Sequence, residues 1–161
     1  MNNRGQVTGL AQWGSHSHAF VWEPGRIIDI GALPGDEESV GVAINDSGQV
    51  VGISSDTEKG TVRGFLWDKG VMQELGVLPG SGISYPTTIG SHGVAAGLAI
   101  DSTVRPILFS REGIALLPSV PGSVASYIYG MNQRGDVVGN SFDGNHSIGV
   151  IWMRGPGGQG H

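Results

Sequence analysis

Residues 44–52 read INDSGQVVG, and the phrase returns as MNNRGQVTG at 1–9, IGSHGVAAG at 89–97 and MNQRGDVVG at 131–139. Asn is favoured where a tight turn opens, and Gly supplies the positive φ that such a turn needs. An apolar, β-prone run follows each time, so the phrase reads as a hairpin turn feeding a strand. Its turn glycines, Gly5, Gly48, Gly93 and Gly135, lie 43, 45 and 42 residues apart. A regular spacing of this size is the mark of a repeat architecture.

Two further landmarks keep the same ruler. An aromatic closes an apolar run at Trp22, Trp67, Phe109 and Trp152, and a Pro-Gly step follows twelve residues later at Pro34, Pro79 and Pro121. From aromatic to next turn glycine the distance is 26 residues in all three cases, whereas from turn glycine to aromatic it is 17, 19, 16 and 17. Length variation is therefore confined to residues 11–18, 54–63, 99–105 and 140–148. Packed elements fix their lengths and loops do not, so these segments mark the variable surface.

Four strands fit each period, at 40–45, 49–54, 63–68 and 71–76 in the second copy. Phe65 and Trp67 share one strand face while Gly64 and Leu66 share the other, so both faces are apolar or small and both are covered. Gly9, Gly52, Gly97 and Gly139 recur in the second strand, where glycine implies close approach of a neighbouring backbone or ring. The recurring Trp or Phe is the expected occupant of that space. Pro86 falls in a first strand, which is expected at a sheet edge lining the axis. The fold class expected is all-β: four-stranded antiparallel units of about 43 residues stacked as a partial β-propeller. A β-sandwich or stacked β-array is the alternative. One domain spans residues 1–155, with units at about 1–35, 36–80, 81–122 and 123–155, followed by a flexible Gly-rich tail at 156–161. The first unit lacks a first strand and the last lacks a fourth, giving about 14 strands. The expectation is a fragment of a larger propeller or a chain that self-associates through its incomplete end units.

Composition narrows the function classes. The 161 residues include 29 glycines, 39% are apolar and 14% are charged, and the net charge is −5. The nine Lys and Arg are scattered, so no nucleic-acid-binding stripe forms. There is no cysteine for disulfides or thiolate metal sites, and no apolar run approaches the ~18–20 residues of a membrane helix. No nucleophile elbow, zinc-protease helix or phosphate loop occurs.

The combination of Ala43-Ile44-Asn45, Gly48, Val50-Val51-Gly52, then His18-Ala19-Phe20 with Trp22, then Leu75-Gly76 and Leu78-Pro79-Gly80 resembles the HAF repeat family of bacterial extracellular repeat proteins. The resemblance covers the chain to about residue 155. The third unit departs most, with Gly90 for Asn, Phe109 for Trp and Leu117-Pro118 for Leu-Gly, and the HAF triplet itself survives once. The resemblance implies a β-repeat fold and an extracellular or cell-surface location, and brings no catalytic residue.

Candidate site residues are therefore binding residues, with no catalytic residue, no metal and no cofactor assigned. INDSG has one charged group, Asp46, where a Ca²⁺ loop needs several oxygen ligands, so it reads as a turn. His18, Arg63 and Arg105 occupy equivalent positions and could face an anionic ligand, although Ile148 breaks the set in the fourth unit. His16 and His18 alternate on a strand and point to one side, but no third metal ligand accompanies them. Asp56, Glu58, Asp101, Asp143 and His146 lie in variable segments, and Trp13, off the core pattern, is the best ligand-facing aromatic. The variable loops and the Pro-Gly links emerge on one face by strand alternation, where a partner is expected. The function expected is a non-enzymatic extracellular scaffold or binding module for an unknown ligand, carbohydrate or protein. The alternative is a carbohydrate-active propeller enzyme, lyase or glycosidase, with an incomplete site here.

Overall fold

The computed structural model describes residues 1–154, so the tail expected at 156–161 lies outside the described residues. Among the described residues there are fourteen strands and no helix. The first unit supplies β1 (Val7–Trp13), β2 (His16–Glu23) and β3 (Arg26–Gly31). The second supplies β4 (Glu38–Ile44), β5 (Val50–Asp56), β6 (Thr61–Asp68) and β7 (Val71–Glu74). The third supplies β8 (Ile83–Ile89), β9 (Ala95–Ile100), β10 (Val104–Ser110) and β11 (Gly113–Leu116). The fourth supplies β12 (Ala125–Met131), β13 (Val137–Phe142) and β14 (Ser147–Trp152).

Within each unit consecutive strands pair antiparallel. The third and fourth units also touch through one parallel backbone bridge, Val104 to Ala125. The turn glycines Gly5, Gly48, Gly93 and Gly135 have φ of 77°, 81°, 74° and 90°, as the hairpin reading requires. The variable segment of the second unit is narrower than its spacing suggests. Strand pairing runs from Asp56 straight across to Thr61, and only residues 57–60 form the loop.

Faces alternate as the sequence dictates, and units stack through them. Ala19 and Val21 of the first unit meet Val50 and Phe65 of the second. On the opposite side of the second sheet, Val51 and Leu66 meet Ala95, Ile107 and Phe109 of the third. Ala96 and Leu98 then meet Ile128, Val137 and Trp152 of the fourth. Each unit thus has a backward face and a forward face, and the core is a series of layers between sheets. First strands β4, β8 and β12 lie beside one another in turn. Pro86 sits on β8, an edge strand that pairs only with β9, the kind of position where a proline is tolerated.

A bulge recurs in the first strand. The register slips between Gly41 and Ala43, between Pro86 and Thr88, and between Ile128 and Gly130. Gly52, Gly97 and Gly139 face these slips, and a Cβ on any of them would run into the carbonyl oxygen of Val40, Tyr85 or Tyr127. The backbone, more than the recurring Trp or Phe, therefore demands these glycines. A ring adds to the crowding at Gly52, where it is that of Phe65, and at Gly139, where it is that of Trp152.

Candidate functional site

The four repeated turns converge at one end of the stack. In three of them the Asn side chain folds over its own turn: Asn45 Oδ1 accepts from the backbone N–H of Ser47 and Gln49, and Asn2 and Asn132 do the same in their turns. The amide then ties units together. Asn2 Nδ2 donates to the Asn45 carbonyl and Asn45 Nδ2 to the Gly90 carbonyl, at 2.8 and 2.9 Å. A relay runs outward from Asn2 to Gln6 to Glu23, and from Asn45 to Gln49 to Asp68. Gly90 has no side chain, and Ser91 Oγ takes over by donating to the Gln133 carbonyl at 2.8 Å.

Asp46 sits at this mouth and collects donors from two other units. Asn3 donates through its backbone and its amide at 2.8 Å, and Gln133 Nε2 donates at 3.2 Å. The Asn3 hydrogen bonds hold the Asp46 carboxyl below the usual carboxylate range. The cavity these turns enclose measures about 190 Å³ and is lined by Asn2, Asn45, Asp46, Ser91 and Gln133 among others. An open cleft of about 550 Å³ lies beside it, between His92, Arg134, Asp136 and Arg154.

The opposite end carries the variable loops and the Pro-Gly links, as strand alternation requires. Here the second unit grips the link that precedes it. Arg63 donates to Asp36 at 3.0–3.1 Å, to Glu74 at 2.9 Å and to the Pro34 carbonyl at 2.9 Å. Thr61 Oγ1 donates to Asp36 at 2.7 Å, and Lys59 bonds the Gly35 carbonyl and Asp56. Burial works to raise the Asp36 carboxyl, but the hydrogen bonds from Arg63 and Thr61 outweigh it and leave it below its ordinary value.

The loop carboxylates hold their own loops. Asp56 Oδ1 accepts from the N–H of Glu58 and Lys59, Asp101 from Thr103, and Asp143 from Asn145 and His146. Asp143 also faces the His146 ring at 3.5 Å, and Glu58 is exposed at its tip. Arg105 pairs with Asp101 beside it, while its buried Nε has no hydrogen-bond partner. His18, Arg63 and Arg105 are thus each matched with a carboxylate rather than gathered on one ligand. His18 Nδ1 donates to Asp29 at 3.0 Å, the counterpart of Arg63 with Glu74.

Trp13, His16 and His18 do come together. Trp13 pairs across the hairpin with His16, and the two imidazoles stack with centroids 6.4 Å apart. Trp13 Nε1 is buried without a partner. The group lies on the backward face of the first unit, in register with Phe20 and Trp22, rather than on a loop tip. Among the described residues no three His, Asp or Glu side chains are placed to hold a metal ion. No local motif marks the mouth or the Arg63 clamp, although Gln6 with Gln49 and Glu23 with Asp68 recur at matching positions and signal the relay.

No family model matches the chain, and no curated protein matches it. Solved structures do match. The β-propeller domain of the Trilobed protease from Pyrococcus furiosus, described as having an open velcro topology, aligns at a TM-score of 0.56 and 13% identity. The alignment covers 91% of this chain and 47% of that one, so the chain spans about half the neighbour's length. At this identity the likeness concerns fold alone, and it agrees with the stacked four-stranded sheets: the chain has a β-propeller fold, with no closed sheet among the described residues.

Proposed function

We propose that this chain is a non-enzymatic binding module, a rigid stack of propeller units that presents its loop face to a carbohydrate or protein ligand outside the cell. One observation carries the reading: three of the four loop carboxylates that could do acid–base work are engaged in holding the fold, and the fourth, Glu58, stands at an exposed tip without a second carboxylate bonded to it. Asp56, Asp101 and Asp143 each cap their own loop, and Asp36 is closed off by Arg63 and Thr61. Glycosidic cleavage needs two carboxyl groups facing one bond. The exposed tips at residues 57–60 and 144–146 differ between units, which suits a surface selected for a partner. The extracellular location rests on the resemblance to HAF repeats.

The test is a binding screen of the chain against a glycan array and immobilised cell-envelope fractions. It is repeated with Thr57-Glu58 replaced by Gly-Ser and Asn145 replaced by Ser. One ligand class should bind the wild type and be lost by the variant, with unchanged thermal stability. Binding that survives the replacement, or turnover of a bound polysaccharide, would refute the reading.

A further inference from the structure

We propose that the exposed backward face of the first unit is a socket for the exposed forward face of the fourth unit of a second copy of this chain. Inside the molecule the rule is uniform: the forward face of each unit packs on the backward face of the next. Two faces of these kinds are left uncovered. On the backward side, Trp22 and Ile27 are 42% and 48% exposed, whereas their repeat equivalents Trp67 and Met72 pack into the core between the first two units. On the forward side, Val138 and Ile151 are 44% and 65% exposed, whereas Val51 is fully buried and Leu66 packs against the third unit.

Shape agrees with burial. Gly64 presses on the third unit, where a Cβ would meet Pro86 Cδ at 2.8 Å, but its equivalent Gly149 has open space beyond it. The forward-face strands of the fourth unit also carry Tyr127, Asn140 and Ser147 and no charged side chain, and on the socket Asp29 keeps its pairing with His18. Opposite, the lower part of the socket holds Trp13, whose buried Nε1 lacks an acceptor. In the second unit the equivalent corner receives the Pro34 and Gly35 carbonyls.

A second copy is the occupant because one chain displays both mates. Such a contact is heterologous, head to tail, and either closes a ring or propagates. The Pyrococcus propeller domain, about twice this chain's length, contains room for two such stacks in one fold.

Size exclusion with light scattering over a concentration series tests this, using Ile27→Asp to block the socket and Ile151→Asp to block the forward face. Wild type should gain mass with concentration, and each variant should stay monomeric with its β-sheet circular dichroism and melting temperature kept. An equimolar mixture of the two should form a one-to-one dimer, because one free face of each kind remains. If Ile151→Asp fails to fold, Gly149→Arg blocks the same face from an open position. A wild type that is monomeric throughout, a mixture that stays monomeric, or a variant that associates like wild type overturns the proposal.

Discussion

The second and fourth units are built from nearly the same words and live in different surroundings. In the second, GFLW places Phe65 at 0% exposure and Leu66 against the third unit; in the fourth, GVIW leaves Ile151 65% exposed. The first unit repeats the contrast from the other side, with Trp22 half-exposed where Trp67 is packed. A repeat therefore carries stability only in proportion to the neighbours that cover it, as in any array held by nearest-neighbour contacts.

Truncation of the shared aromatic position is the strongest way to break this contrast. Phe65→Ala should cost about 3–5 kcal/mol in urea unfolding, the usual loss for a fully buried Phe, and Phe20→Ala markedly less. Equal losses would mean that the first unit's backward face is covered in solution. Next comes glycine: Gly64→Ala should cost about 1–3 kcal/mol through overpacking against Pro86, and Gly149→Ala should stay within about 0.5 kcal/mol of wild type.

The link clamp sharpens the contrast through pH. Asp36 has a lowered carboxyl pKa, so the unfolded chain binds its proton more readily and the contribution to stability is full above the ordinary carboxylate range. That contribution disappears as pH falls through the lowered native value. Asp36→Asn should cost about 2 kcal/mol at neutral pH, the scale of a hydrogen bond to a charged group. The variant should show a shallower acid-induced loss of melting temperature, whereas an unchanged acid profile would remove Asp36 from the account. The smallest effect is at the turns. Asn45→Ala loses a turn cap and the bond to the Gly90 carbonyl, and Asn132→Ala loses a cap; the difference should be about 1 kcal/mol in thermal unfolding.

Much of this is legible in the sequence. Three landmarks at matched spacings gave the unit count and strand order, because a chain can keep turn glycine and aromatic in register only if the element between them is rigid. The positive φ of Gly48 and the both-sided cover of Phe65 and Leu66 follow from the same pattern. The crowding partner at Gly52 did not, since the Val40 carbonyl arrives there through a bulge, and a bulge is a slip in pairing that no residue type announces. Trp13 was displaced for a related reason. Its spacing put it in a variable segment, but β1 runs through it and the strand pleat turns it onto the flank with Phe20.

By itself the sequence settled periodicity, secondary structure and which side chains share a strand face, all consequences of local backbone geometry and apolar alternation. Only tertiary structure decided what each face meets: the four turns knitted through Asn2, Asn45 and Asp46, the link held by Arg63, and the two flanks left open. Those outcomes depend on where distant segments arrive in space, and identical local words impose no such placement.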